Sequence, residues 1–204
     1  MSDPQFPKAD PATPEFWEAR YAAHVTPWDA GGVPAELAGF AARTQAPART
    51  LIPGCGSAHE LRHLVDLGWD ALAIDFSPAA VAAARSNLGP AYEARVVEGD
   101  FFGPAIAENS FDFIYERAFL CALPRRLWPD WAARCADLLR AGGRVGGFFY
   151  FDAGARGPPF GLKPGEQEAL LAPHFSLVEE RDPADSVPVF KGKEKWQVWR
   201  KRLA

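Results

Sequence analysis

The segment Leu51-Ile52-Pro53-Gly54-Cys55-Gly56-Ser57-Ala58-His59-Glu60 decides how this chain folds. Two glycines one residue apart follow an apolar stretch with strand character and precede a stretch with helical spacing. Because glycine has no Cβ, such a loop lets the backbone approach a bound ligand closely. The third glycine of the dinucleotide-binding fingerprint is absent, and Glu60 lies just beyond its place. The loop therefore favours a ligand other than a pyrophosphate.

From Arg49 onward, short apolar runs alternate with helical segments. This alternation is typical of a parallel sheet built from βαβ units. The predicted strands are residues 50–52, 71–74, 93–98, 111–115 and 143–150, followed by a pair at 175–181 and 196–201. The predicted helices are residues 14–24, 34–43, 59–67, 78–88 and 129–141. The last two strands have no long helix between them, so we expect an antiparallel pair at the edge of a doubly wound α/β sheet.

Two acidic residues follow successive predicted strands. Asp75 ends the second strand, 19 residues after Gly56, where a carboxylate can accept both hydroxyls of an adenosine ribose. Asp100 follows the third strand and precedes Phe101, a pairing suited to the amino group and ring face of adenine. Taken singly, these features are as typical of a tight turn, a helix cap and a loop acid. Together, at the carboxyl ends of successive strands, they favour an adenosyl cofactor.

Composition limits the class of protein. The chain has 204 residues, of which 48% are hydrophobic and 24% charged, as in an ordinary soluble domain. A formal net charge of -4 argues against nucleic acid as a partner, since such proteins carry a basic surface. The three scattered cysteines read as reduced thiols, and the histidines show no metal-site spacing. With no signal peptide and no apolar run of about 18 residues, we expect a cytoplasmic protein that does not enter the membrane.

Several motifs together resemble the thiopurine S-methyltransferase family and the related plant-type halide and thiol methyltransferases. They are Phe16-Trp17-Glu18-Ala19-Arg20-Tyr21, Thr26-Pro27-Trp28-Asp29, Pro53-Gly54-Cys55-Gly56, Glu98-Gly99-Asp100-Phe101-Phe102, Gly157-Pro158-Pro159-Phe160 and Lys191-Gly192-Lys193-Glu194-Lys195-Trp196. The resemblance implies a Rossmann-like class I methyltransferase fold with a mostly parallel seven-stranded sheet and an antiparallel C-terminal edge strand. It implies S-adenosylmethionine as cofactor, S-adenosylhomocysteine as product, and a small soft nucleophile as acceptor: a thiol, thiopurine, selenium or tellurium species, or halide.

The resemblance also implies a set of site residues in one domain, residues 1–204. An N-terminal arm, residues 1–45, would act as a lid over a cofactor-binding core, residues 46–204. The cofactor would contact Trp17, Tyr21 and Trp28 on the arm, Gly54, Asp75, Asp100 and Phe101 in the core, and Glu116 after the fourth strand. In many family members a tryptophan stands where this chain has Tyr21, so an aromatic face is kept.

Arg117 is the candidate catalytic residue, in the role of orienting the acceptor. An arginine at this place resembles the thiopurine branch, whereas Thr26-Pro27-Trp28-Asp29 and Phe119-Leu120-Cys121-Ala122-Leu123 resemble the halide and thiol branch. Its guanidinium would stabilise an anionic acceptor such as a thiolate. The alternative is a structural ion pair with Glu116, Asp112 or another nearby acid.

Two other functions fit parts of the pattern. A nucleotide-dependent oxidoreductase would share the sheet and the Gly loop, although the missing third glycine disfavours it. A non-catalytic S-adenosylmethionine-binding module would keep the Gly loop and Asp75 without turnover. We expect a monomer, because 204 residues suffice for a closed core.

Overall fold

The computed structural model describes residues 6, 8–44, 48–154 and 156–203. The strands are β1 (Arg49–Pro53), β2 (Asp70–Asp75), β3 (Val96–Glu98), β4 (Phe111–Arg117), β5 (Leu139–Tyr150), β6 (Phe175–Arg181) and β7 (Glu194–Lys201). The α-helices are α1 (Pro14–Ala22), α2 (Ala35–Arg43), α3 (His59–Asp66), α4 (Pro78–Leu88), α5 (Trp128–Leu138) and α6 (Glu166–Leu171). None of the described helices is long and apolar enough to cross a membrane.

The strands form one seven-stranded sheet in the order β3-β2-β1-β4-β5-β7-β6. The pairs from β3 through β5 are parallel, whereas β7 is antiparallel to both β5 and β6. The predicted α/β class and the antiparallel pairing of the last two strands are confirmed. The C-terminal strand is antiparallel as expected but lies second from the edge, because Trp196, Val198 and Trp199 of β7 are all buried.

One predicted strand and one predicted helix differ in extent from the observed elements. Residues 93–98 were expected as one strand, but Pro90–Arg95 forms a 3₁₀ turn and leaves only Val96–Glu98 extended. The helix predicted for residues 129–141 ends at Leu138, and Leu139 already pairs with Phe111 in β5. In both places, pairing with a neighbouring strand decides whether a residue is extended, rather than the local preference of the sequence for helix or strand.

Helices cover both faces of the sheet because successive strand residues point to opposite sides. Ile114 and Phe149 pack with α5 on one face, while Phe113 and Phe148 pack with α2, α3 and α4 on the other. Helix α2 buries Phe40 against Phe113, with ring centroids 4.8 Å apart. Helix α2, although part of the predicted arm, is thus packed into the core. This leaves residues 8–33 of the arm to lie over the strand ends, and we call this segment the roof. Residues 1–5, 7 and 45 of the arm, and 46, 47, 155 and 204 of the core, lie outside the described residues.

Candidate active site

A cavity of about 320 Å³ opens at the carboxyl ends of β1, β2 and β4. Open α/β sheets bind their ligands at this edge, because the strand order reverses there and leaves a crevice. Core residues 52–60 together with Asp75 form one wall, which we call the floor, and the roof forms the opposite wall. Six of the nine predicted site residues line the cavity: Trp17, Tyr21, Trp28, Gly54, Asp75 and Arg117.

The Gly loop of the floor has a backbone that side chains would obstruct. Gly54 and Gly56 have φ angles of 57° and 50°, in the left-handed region that favours glycine. A Cβ on Gly56 would lie 2.7 Å from the Tyr21 hydroxyl oxygen, and a Cβ on Gly54 would collide with the ring of Phe119. The loop is therefore fitted to a roof residue above it and to an aromatic ring beside it.

Asp75 presents a buried carboxylate at the end of β2, as predicted from its place in the sequence. Its side chain accepts hydrogen bonds from the backbone N–H of Ser77 (3.0 Å) and of Gly56 (3.2 Å). Burial raises the pKa of this carboxyl to about 6. At neutral pH, Asp75 is thus an ionised acceptor with free lone pairs beside the Gly loop, as ribose hydroxyls require.

Three aromatic side chains form the inner surface of the roof. The Trp28 ring lies edge-on to Trp17, with centroids 5.5 Å apart, and to Tyr21, at 6.2 Å. The indole N–H of Trp17 donates to the carbonyl oxygen of Pro11 at 2.8 Å. Burial raises the pKa of the Tyr21 phenol, which therefore stays protonated. Such ring faces attract a sulfonium cation through their quadrupoles.

Arg117 places a largely buried guanidinium on the cavity wall. Its side chain is 9% exposed, and the nearest carboxylate oxygen, on Glu194, is 4.0 Å from Nη1. None of its three nitrogens has a hydrogen-bond partner among the described residues. The guanidinium stacks on Phe148, 3.9 Å from the ring centroid. The alternative from the sequence is an ion pair with Glu116, Asp112 or another nearby acid. Glu194 is such an acid, in a long ion pair of 4.0 Å without a hydrogen bond, whereas Asp112 pairs with Arg140 at 2.8 Å.

Asp100 and Phe101 lie outside the cavity wall. Asp100 is exposed, two residues beyond the end of β3, and its carboxylate accepts from the backbone N–H of Phe102 at 2.9 Å. Phe101 is 3% exposed and packs edge-on against Phe119, which itself lines the cavity, at 5.3 Å. Their contact with the cofactor stays a prediction.

Glu116 lies within β4 rather than after it, and it too is absent from the cavity wall. Its carboxylate accepts from the backbone N–H groups of Phe119 and Leu120, both at 3.0 Å. Adjacent strand residues point to opposite faces, so Glu116 turns away from its neighbour Arg117. Burial raises the pKa of Glu116 to about 8. In this structure the residue shapes the turn after β4, and its predicted cofactor contact stays a prediction.

The cavity wall also includes residues that the sequence did not single out as site residues. Phe119 covers Gly54, and the Tyr115 hydroxyl lies 3.4 Å from the Glu60 carboxylate at the floor. Asp29 also lines the wall, and its place in the motif that contains Trp28 could have indicated this from the sequence. Nothing in the sequence indicated Tyr115, because it has the pattern of an ordinary buried strand residue. The loop that carries the Gly157-Pro158-Pro159-Phe160 motif contributes Pro158 and Pro159 to the wall.

The cysteines and acidic residues fit neither a thiol nucleophile nor a metal site. Cys55 and Cys121 line the cavity as free thiols, and burial raises the pKa of each, which keeps them protonated. Within the part of the chain that the structure describes, no three histidine, cysteine or acidic side chains come together as a metal site.

Comparison with protein families decides how this site is assigned. The family model described as thiopurine S-methyltransferase matches residues 12–202. The chain belongs to the thiopurine S-methyltransferase family. Thiocyanate methyltransferase 1 of Arabidopsis thaliana is 29% identical to this chain. The match covers 91% of this chain and 84% of the Arabidopsis protein. A thiopurine S-methyltransferase of Vibrio cholerae is also 29% identical, over 78% of this chain and 80% of its own.

Solved structures share the fold of this family member. The 1,6-didemethyltoxoflavin-N1-methyltransferase of Burkholderia thailandensis has a TM-score of 0.72 and 20% identity, covering 98% of this chain and 93% of its own. A TehB-like methyltransferase of Corynebacterium glutamicum has a TM-score of 0.67 and 24% identity, over 91% and 98% of the two chains. The predicted Rossmann-like methyltransferase fold is confirmed.

The family assignment makes the chain an S-adenosylmethionine-dependent methyltransferase that acts on small nucleophiles. The cavity has the chemistry this cofactor needs. A glycine loop at a strand end, the buried Asp75 carboxylate and three aromatic rings face one space. The predictions of enzyme class and cofactor are confirmed, and the oxidoreductase and the non-catalytic module are set aside.

Proposed function

We propose that this methyltransferase acts on a small soft anion held at the Arg117 end of the cavity. The observation that carries this proposal is the buried guanidinium without a hydrogen-bond partner among the described residues. Leaving buried donors of a charged group unsatisfied costs about 1–3 kcal/mol or more. An anion on the cavity side would supply the missing acceptor, and its charge would be neutralised where water is scarce.

Methyl transfer places few chemical demands on the protein. The cofactor supplies an activated methyl group on a sulfonium. The protein has to hold the nucleophile in line with that group and keep water out. Arg117 would orient the anion and favour its ionised form, and the roof would close the cavity. The three roof rings, Gly54 and Asp75 are supported as cofactor-binding residues by their position on the wall. Asp100, Phe101 and Glu116 are supported by family resemblance alone.

Within the acceptor class, the cavity favours compact acceptors over a bicyclic thiopurine. At about 320 Å³ it lies at the lower end of the range for ligand sites, about 300–1,000 Å³, and the cofactor takes most of that space. Thiolates, thiocyanate and heavier halides need little room, and one curated relative is named a thiocyanate methyltransferase. Arg117 shares the cavity wall with Trp28, Cys121 and Phe190, and this apolar lining disfavours strongly hydrated anions.

Replacing Arg117 by methionine tests this assignment. The assay follows S-adenosylhomocysteine formation with thiocyanate, hydrosulfide, iodide and 6-mercaptopurine as acceptors. We expect kcat/KM for the compact anions to fall at least about tenfold, since a hydrogen bond to a charged group is worth about 1.5–3 kcal/mol. The affinity for S-adenosylhomocysteine, measured by calorimetry, should stay within about twofold of wild type, as expected for a group that acts on the acceptor.

Arg140→Met is the matched control, because Arg140 is exposed, pairs with Asp112 and lies outside the cavity wall. Its kinetics should equal those of wild type. Arg117→Lys should retain part of the activity, since it keeps the charge but loses the planar fork of donors. An equal loss of cofactor affinity and turnover in Arg117→Met would identify a structural role and refute the proposal.

We further propose that one copy of the chain carries the whole site. Both walls of the cavity, the floor and the roof, come from the same chain, which supports a monomer. The domain is then a single unit in which the roof acts as a lid. The three buried free thiols support a reducing compartment such as the cytoplasm.

A further inference from the structure

The roof is tied to the Gly loop by Asp29, the residue that follows Trp28. One carboxylate oxygen, Oδ2, accepts a hydrogen bond from the Ser57 hydroxyl at 2.5 Å. The other, Oδ1, lies 3.1 Å from Nε2 of His59 and accepts from the backbone N–H of Gly31 at 2.8 Å. Both carboxylate oxygens are thus engaged, and two of the three partners belong to the core.

The opposite side of His59 is also fixed. The Asn87 side-chain nitrogen donates to the carbonyl oxygen of Ser57 at 2.8 Å, and the same nitrogen lies 3.1 Å from Nδ1 of His59. Since that nitrogen is a donor, Nδ1 must be an acceptor, and the ring proton is on Nε2, facing Asp29. We call Asp29, Ser57, His59 and Asn87 the arm latch.

Among the described residues, two other roof side chains, Glu18 and Asp10, make polar contacts with the core, and neither reaches the Gly loop. Glu18 accepts from the Ser77 hydroxyl and from the backbone N–H of Ala79 (2.8 Å), at the start of α4. Asp10 pairs with Arg126 at 2.5 Å, and both side chains are exposed, by 44% and 58%. The latch is different, because Ser57 directly follows Gly56 and the Asp29 and His59 side chains are each only 23% exposed.

We propose that Asp29, Ser57 and His59 are positioning residues that hold the roof closed, and that opening this latch controls how fast the product leaves. The roof forms a wall of the cavity, so its movement widens the path by which cofactor and product exchange. Breaking the latch frees Trp28 and disturbs the Gly loop in one step, since the two segments share these hydrogen bonds. The inference rests on the proposed cofactor-binding role of this cavity and is independent of the acceptor.

The test is the dissociation rate of S-adenosylhomocysteine, measured by chasing bound radiolabelled product with excess unlabelled product. Asp29→Ala removes both latch bonds, and we expect release to be at least about tenfold faster, since one bond to a charged group is worth about that factor. Ser57→Ala removes one donor without a change in charge, and we expect release about threefold faster. The thermal midpoints of both variants should stay close to wild type, because the latch lies outside the hydrophobic clusters.

Asp10→Asn is the matched control, because it weakens an exposed contact of the same roof segment, and its release rate should stay within about twofold of wild type. Unchanged release in both latch variants, or the same change in Asp10→Asn, would overturn the proposal. Should Asp29→Ala fail to fold, the Ser57→Ala rate decides alone. Failure of the acceptor assignment would appear in the turnover of wild type and would leave these release rates unaffected.

Discussion

The floor and the roof of the cavity are held in place by different kinds of contact. In the floor, the backbone N–H of Cys55 donates to the backbone carbonyl of Ile74, which extends the pairing of β1 with β2. The next backbone N–H, of Gly56, donates to the buried side-chain carboxylate of Asp75. In the roof, side chains make the contacts that reach the core, through Asp10, Glu18 and Asp29.

This difference assigns different tasks to the two walls. Backbone hydrogen bonds inside a sheet persist as long as the domain is folded, whereas side-chain contacts of a surface segment open at much lower free energy. We therefore expect the floor to determine how tightly the cofactor binds. The roof should determine how fast it exchanges and how well water is excluded.

The largest effect is expected in the floor. Asp75→Ala would remove the proposed acceptor for two ribose hydroxyls. Each such bond is worth about 1.5–3 kcal/mol, so S-adenosylhomocysteine should bind at least about 100-fold more weakly by calorimetry. Asp75→Asn keeps the shape of the side chain but not its charge, so its affinity for S-adenosylhomocysteine should lie between those of wild type and Asp75→Ala. Unchanged affinity in Asp75→Ala would break the comparison at its main point.

A smaller effect is expected from pH, through the same carboxylate. Burial raises the pKa of Asp75 to about 6, and only the ionised carboxylate can accept a hydrogen bond from both ribose hydroxyls. The affinity for S-adenosylhomocysteine should therefore be full well above pH 6 and be lost as the pH falls through 6. Between pH 7.5 and pH 5 the affinity should fall about tenfold, since one pKa unit below the midpoint leaves about a tenth ionised. Asp75→Asn should lack this pH dependence. If the pH profile of Asp75→Asn were identical to that of wild type, another group would be responsible for the dependence.

The smallest effect is expected from a single roof ring. Trp28→Leu loses the edge-on contacts with Trp17 and Tyr21, and an aromatic pair is worth about 0.5–1.5 kcal/mol, so cofactor affinity should fall about threefold. Trp28→Phe keeps a ring in place and should fall less. A loss larger than that of Asp75→Ala would show that the roof, rather than the floor, holds the cofactor.

Much of the floor could be predicted from the sequence. Gly54 and Gly56 stand between a strand and a helix, and Asp75 stands at a strand end, so the order of elements places them at one edge of the sheet. The extents of β3 and β5 were less predictable, because local sequence does not report which strand a residue will pair with. For Arg117 the sequence offered Glu116, Asp112 or another nearby acid as a partner; the structure places Glu194 beside it at 4.0 Å, while Asp112 pairs with Arg140.

By itself, the sequence determined the class of fold and the floor of the site, because these depend on local backbone preference and on the period of apolar residues. It also indicated the family, through the resemblance of several motifs. Only the tertiary structure decided which charges are paired. Arg117 faces the cavity because strand residues alternate between sheet faces, and its nearest carboxylate comes from Glu194, on another strand. Asp29 meets Ser57 and His59 because the roof folds back over the strand ends, a contact that no local pattern records.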